Sequence, residues 1–243
     1  MSDPMDANGT RQSSAQSEGA SQLPMPAVAS VPLRVKPESR LCTFDEGGAA
    51  GADQFRLLLG RLMEVQARTA LKRLLITSAV NGEGKTNVAT NLALLAARES
   101  RQKVLLVDAD IRQPGVHGVF GLENGQGVVD LLRSGREPWK AIRKAEGLNL
   151  YVLTAGAAHD EPLTTARILT LKAMLDQVAA AFELVVIDSP ALEVAEAPML
   201  AQLADAVLLV LRAFKTGRDL VLKAKDVLQG NTLLGTVITR LDP

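Results

Sequence analysis

The run Ala79-Val-Asn-Gly-Glu-Gly-Lys-Thr86 has the residue types and spacing needed to cradle phosphate. Gly82 and Gly84 free the backbone to curl, so that successive N–H groups can point inward at phosphate oxygens. Lys85 is spaced to reach the β- and γ-phosphates of a nucleoside triphosphate, and the Thr86 hydroxyl to ligate Mg2+. Asn81, Gly82, Glu83, Gly84, Lys85, Thr86 and Asn87 are together expected to line the bound nucleotide. The context supports the motif. A strand-like run, Leu74-Leu75-Ile76-Thr77, leads in, and an apolar helix-like run from Val88 to Ala97 leads out. The helix start adds partial positive charge to the site.

Three acids can complete that site. Lys103-Val-Leu-Leu-Val-Asp108-Ala-Asp110 is an apolar strand ending in two carboxylates, and Leu184-Val-Val-Ile-Asp188-Ser-Pro190 is another ending in one. In an open parallel sheet, ligands bind beyond the carboxyl ends of the strands. A lone Asp there often caps the next helix or turn. Three beside a phosphate loop suit phosphoryl transfer, in which carboxylates hold the metal's water shell or orient the nucleophile. Lys85, Asp108, Asp110 and Asp188 are the expected catalytic set, with Thr86, Asp108 and Asp188 handling the metal. Asp188 would hold a Mg2+ water, Asp108 would act near the γ-phosphate as outer ligand or base, and Asp110 would assist it.

The elements positioning these groups read as alternating strands and helices. Strands are expected over Arg73–Thr77, Lys103–Val107, Leu148–Leu153, Leu184–Ile187, Ala206–Leu211 and Leu233–Thr239. Helices are expected over Thr86–Glu99, Thr165–Phe182 and Gly217–Leu228, preceded by one from Asp53 to Ala70 with Phe55, Leu58, Leu59, Leu62 and Val65 on its apolar face. Such alternation predicts an α/β fold, a doubly wound, mostly parallel sheet covered on both faces. Residues 1–40, rich in Ser, Gln, Ala, Pro and Gly, read as a disordered tail, 41–70 as linker and N-terminal helix, and 71–243 as the nucleotide-binding domain. Gly47-Gly48-Ala-Ala-Gly51 is a flexible connector lacking the strand a second phosphate loop would need.

Composition narrows the function classes. Lys plus Arg and Asp plus Glu balance at 27 each, which gives no sign of nucleic-acid binding. The single cysteine, Cys42, excludes an internal disulfide and fits a reducing compartment. No apolar run approaches a membrane span, so any membrane association is expected to come through a partner.

Taken together, Ser78 to Thr86, Leu105-Leu-Val-Asp-Ala-Asp-Ile-Arg-Gln-Pro114 and Val185-Val-Ile-Asp-Ser-Pro190 resemble the Walker A, A′ and B motifs of the bacterial tyrosine kinases (BY-kinases). These cytoplasmic domains regulate capsule and exopolysaccharide export. The resemblance runs from about residue 50 to 240 and includes Gly127–Leu132 and Leu234–Arg240. It implies the P-loop fold of the MinD/ParA-like branch, ATP and Mg2+ as cofactors, and phosphoryl transfer to protein tyrosine in trans. It also implies a membrane polysaccharide co-polymerase as partner through its cytoplasmic segment, a homo-oligomer, and a cytoplasmic location at the inner membrane face. A MinD/ParA-like ATPase switch and a nucleotide-bound scaffold are the alternatives. The MinD/ParA signature lysine is absent, since Val80 and Asn81 stand in its place.

The sequence departs from the BY-kinase pattern at three points. It ends Leu241-Asp242-Pro243 without a tyrosine cluster, and its one tyrosine, Tyr151, falls in an expected strand as a packed core residue. Asp53 and Arg56 fit the family's Glu-x-x-Arg-x-x-Arg oligomerisation pattern only loosely, and Leu59 stands at its last arginine. Thr239 stands where relatives carry a base-recognising Asn. His117 and His159 are expected in surface loops. Arg133, Arg136, Lys140, Arg143 and Lys144 around Trp139 read as a solvated basic face with one packed aromatic. Arg212, Lys215, Arg218, Lys223 and Lys225 form a second basic set near the C-terminal sheet edge.

Overall fold

The computed structural model describes residues 25–35, 39, 41–42, 49–157 and 163–240. In chain order the elements are β1 (Ala29–Val31), α1 (Ala49–Arg68), β2 (Arg73–Ser78), α2 (Lys85–Glu99), β3 (Val104–Asp108), α3 (Val116–Phe120) and α4 (Val128–Ser134). A 3-10 turn at Pro138–Lys140 precedes β4 (Arg143–Ala145) and β5 (Leu150–Leu153). Then come α5 (Thr165–Ala179), β6 (Leu184–Asp188), α6 (Ala197–Ala201), β7 (Ala206–Arg212), α7 (Arg218–Val227) and β8 (Leu233–Thr239). The strands form one sheet in the order β1-β4-β5-β3-β6-β2-β7-β8. Its pairings are parallel except between β4 and β5. The doubly wound, mostly parallel fold is therefore present.

Burial on both faces explains why the central strands are nearly unbroken runs of Val, Leu and Ile. Side chains alternate between the two faces. Leu75, Leu105, Val107, Val185, Ile187 and Val207 pack toward Ile168, Leu171, Leu175 and Val178 of α5 and the residues of α4 and α6. Leu74, Ile76, Leu106, Val186 and Leu208 pack on the other face against Val88, Leu92 and Leu95 of α2, with Leu59 and Leu62 of α1 behind them. Sandwiched between α1 and the sheet, α2 is buried along most of its length, which its alanines permit.

Two short strands at one end of the sheet depart from expectation. Residues 29–31 lie within the stretch read as a disordered tail, yet they pair with β4 in parallel, Ala29 opposite Arg143 and Val31 opposite Ala145. That strand is too short to show a period, and its stabilising bonds come from backbone more than a hundred residues away. β4 itself was hidden in the basic cluster, because Arg143 and Lys144 pair antiparallel with Val152 and Tyr151. Tyr151 is a core residue as expected, edge-on to Phe182 at 5.2 Å, and Trp139 packs against the same ring at 6.0 Å. His117 lies on α3, half-buried rather than in a surface loop, and burial lowers its pKa. His159, Gly47, Gly48 and Leu241–Pro243 lie outside the described residues.

Candidate active site at the carboxyl ends of the strands

The parallel registers bring the chemistry to one place. Asp108 on β3 lies opposite Asp188 on β6, and Asp188 lies opposite Ile76 on β2, two residues before the phosphate loop. The loop turns through Gly82 (φ 80°) and Gly84 (φ 96°), both left-handed, where a side chain would be strained. Lys85 is the first residue of α2, so the amide dipoles of that helix point at whatever the loop holds.

Lys85 is nearly buried, and its Nζ lies 3.2 Å from Asp110 Oδ2. The other Asp110 oxygen accepts a bond from Gln113 N. Asp108 is the most firmly held acid: Oδ2 accepts from Gly115 N and Val116 N, each at 3.0 Å, and Oδ1 from Asp110 N at 3.2 Å. Burial still pushes its carboxyl up to about 7, against the pull of the Val116 and Gly115 amides. Asp188 is fully buried, and neither of its oxygens has a hydrogen-bond partner among the described residues. Burial, then the charge of Asp108, raises its pKa well above the usual carboxylate range, while Lys85 and the nearby Thr86 hydroxyl pull the other way.

The loop is braced from outside. Glu83 is buried, and its carboxylate accepts from Val80 N at 3.1 Å, from the Thr216 hydroxyl and from Arg212 N. The Thr239 hydroxyl donates to Glu83 O at 2.6 Å, and the exposed Glu193 accepts from Asn81 N at 2.9 Å. Glu83 therefore acts through its side chain as a strut from the loop to the turn after β7. Asn87 turns away from the loop, donating its amide to Ser39 O at 3.2 Å. Thr86 is hemmed in by Gly115: a Cβ built there would come 2.8 Å from Thr86 Cγ2 and 3.2 Å from Oγ1.

The sequence-expected Lys85, Thr86, Asp108, Asp110 and Asp188 thus share one crevice. Sequence reasoning missed the struts Thr216, Glu193 and the buried Glu196, whose Oε1 binds Arg112 Nε at 3.0 Å. No local pattern marks them, because each meets its partner across 84 to 133 residues of chain.

A sequence family described as an AAA domain matches residues 72–219. Tyrosine-protein kinase YwqD of Bacillus subtilis (strain 168) is 33% identical over 204 residues, spanning 83% of this chain and 86% of the relative. The chain belongs to the bacterial tyrosine-kinase family. The kinase domain of Escherichia coli tyrosine kinase ETK superposes with a TM-score of 0.70 at 27% identity, covering 79% of this chain and 78% of that one. Succinoglycan biosynthesis transport protein ExoP of Rhizobium meliloti (strain 1021) is 34% identical over 174 residues, 69% of this chain but only 22% of that longer protein.

The fold is that of a nucleotide-binding P-loop protein, and the residues fit a magnesium nucleotide. Three buried carboxylates face one ammonium in the crevice, and two oxygens of Asp188 are left without donors. That imbalance suits a divalent cation. Among the described residues no three His, Cys, Asp or Glu side chains converge as a ready-made cage. Mg2+ needs none, because one or two carboxylates with waters and phosphate oxygens usually hold it.

Proposed function

We propose that this protein is an ATP-dependent tyrosine kinase acting in trans, whose site is the crevice between the phosphate loop and Asp108, Asp110 and Asp188. The observation that carries the reading is the convergence of Lys85 with those acids at the ends of adjacent strands. Loop amides and Lys85 hold the phosphates. Thr86 and a water-bridged Asp188 would hold Mg2+, which when bound neutralises charge on the transferring phosphoryl group. Asp110 keeps Lys85 aimed across the crevice. Asp108, fixed by three N–H donors with its pKa raised to about 7 by burial, would accept the proton of an incoming tyrosine hydroxyl.

Burial of Tyr151 in the core supports a tyrosine acceptor on another protein. The match to a polysaccharide transport protein supports a membrane co-polymerase partner whose cytoplasmic segment meets this domain on the cytoplasmic side. Among the described residues no helix is long and apolar enough to cross a membrane. The test is γ-labelled ATP with Mg2+, a tyrosine-bearing cytoplasmic segment of a candidate partner, and Lys85→Met alongside. Label on tyrosine, lost in the variant, supports the kinase. Released phosphate without labelled tyrosine would transfer the reading to an ATPase switch.

A further inference from the structure

Away from the phosphate loop, a cavity of about 270 Å3 opens between the chain leaving β1, the loop after α3, the start of β4 and the end of β5. Its wall carries two arginines, Arg34 and Arg143. Arg143 is held in place, since Nη1 donates to Lys140 O at 2.8 Å and to Ile142 O at 3.2 Å. Arg34 is anchored through its backbone, with its N–H donating to Phe120 O at 2.9 Å. Gly121, left-handed at φ 63°, lets that approach happen, because a Cβ there would overlap Arg34 O. Among the described residues neither guanidinium has a carboxylate ion-pair partner.

The remaining polar wall is of a different kind. Gln126, Thr154 and Glu123 offer an amide, a hydroxyl and a carboxylate. We propose that this cavity is a second ligand site, for a small hydroxyl-bearing phosphate of sugar-phosphate size. The two planar guanidinium groups match a phosphate, which takes paired N–H donors better than a point charge. Glu123, Gln126 and Thr154 suit ligand hydroxyls, which donate as well as accept. The volume falls just below the range that holds drug-sized ligands, so it fits a monosaccharide rather than a nucleotide. The site borders the carboxyl end of α3, whose first amides hold Asp108 at the other end of this five-residue helix. Binding here does not depend on the kinase reading of the crevice.

The experiment is calorimetric titration of the full chain with glucose 1-phosphate, after saturating the phosphate loop with Mg2+ and a non-hydrolysable ATP analogue. Glucose and inorganic phosphate run as separate arms. Saturable binding of glucose 1-phosphate is expected, about tenfold weaker or more in each control arm and in Arg34→Ala and Arg143→Ala. Lys85→Met, titrated without nucleotide, should keep it, which separates this site from the phosphate loop. Arg34→Ala decides the matter if Arg143→Ala misfolds, because the Arg34 side chain is exposed. Absence of saturable binding up to about 10 mM overturns the proposal, as does binding that Arg34→Ala leaves unchanged. Inorganic phosphate binding as tightly as glucose 1-phosphate overturns the assignment to a hydroxyl-bearing ligand.

Discussion

Replacing Asp108 with Asn should stabilise the nucleotide-free protein at pH 8 and slightly destabilise it at pH 4. The carboxyl of an unfolded chain titrates near 3.9, whereas burial holds this one up to about 7. Between those values the folded state binds the proton and the unfolded state does not. Stability from Asp108 is therefore complete below about pH 4 and is lost as pH rises through 7. A gap of about three pH units corresponds to at most about 4 kcal/mol. The Asn carbonyl can still accept from Gly115 N and Val116 N, but the bond from Asp110 N is lost, at about 1 kcal/mol. The variant should then gain up to about 3 kcal/mol at pH 8, roughly 6–12 °C for a domain of this size. Thermal unfolding of both proteins in chelator, from pH 4 to 8, measures the difference directly. His117 is unchanged between the two proteins and cancels, while loss of the Asp108 charge also eases ionisation of Asp188 and so adds to the gain at high pH. A difference that stays flat with pH, or runs the other way, refutes the assignment of this buried charge.

Three further outcomes follow from specific contacts. Gly115→Ala keeps an ordinary backbone but drives a methyl into Thr86, so Mg2+-dependent nucleotide affinity should fall about tenfold or more while circular dichroism stays unchanged. Thr216→Val leaves Glu83 without its hydroxyl donor and should cost about 1–3 kcal/mol in urea unfolding, with Thr216→Ser restoring it. Tyr151→Phe should leave phosphorylation of a partner's tyrosine unchanged, and phosphotyrosine detected by mass spectrometry on Tyr151 of native protein would contradict its burial.

What the sequence revealed, and what it hid, follows the range over which each signal acts. β2, β3, β6 and β7 were legible because burial on both faces forces apolar runs, and the loop because phosphate needs Gly82, Gly84 and Lys85 in fixed order. Asp108 and Asp188 were legible from their places at strand ends. β1 and β4 were not, because three-residue strands are specified by backbone pairing rather than by side-chain pattern. Glu83 illustrates the same limit at the site. Its place in the loop suggested a nucleotide contact, but its carboxylate meets Thr216 and Arg212, more than 120 residues away. The direction in which Asn87 points was likewise set by Ser39, which local reading could not supply.

The charge arrangement argues that these acids are there for function rather than for folding. Buried carboxylates ordinarily find donors, and an unpaired one is costly. Among the described residues, both buried oxygens of Asp188 lack a hydrogen bond, while Asp110 and Glu196 are each met by one cation, Lys85 and Arg112, all three acids lying on segments that follow or end β3 and β6. A core optimised for stability would not gather them on one side of the sheet with Lys85 as the cation nearest Asp110. A site that must receive a divalent cation and three phosphates would, because the ligand then supplies the missing partners and binding is coupled to relief of that cost. Nucleotide with Mg2+ should accordingly raise the unfolding temperature of the native protein more than that of Asp188→Asn. Equal shifts in the two proteins would mean that the unsatisfied oxygens are not where the metal is felt.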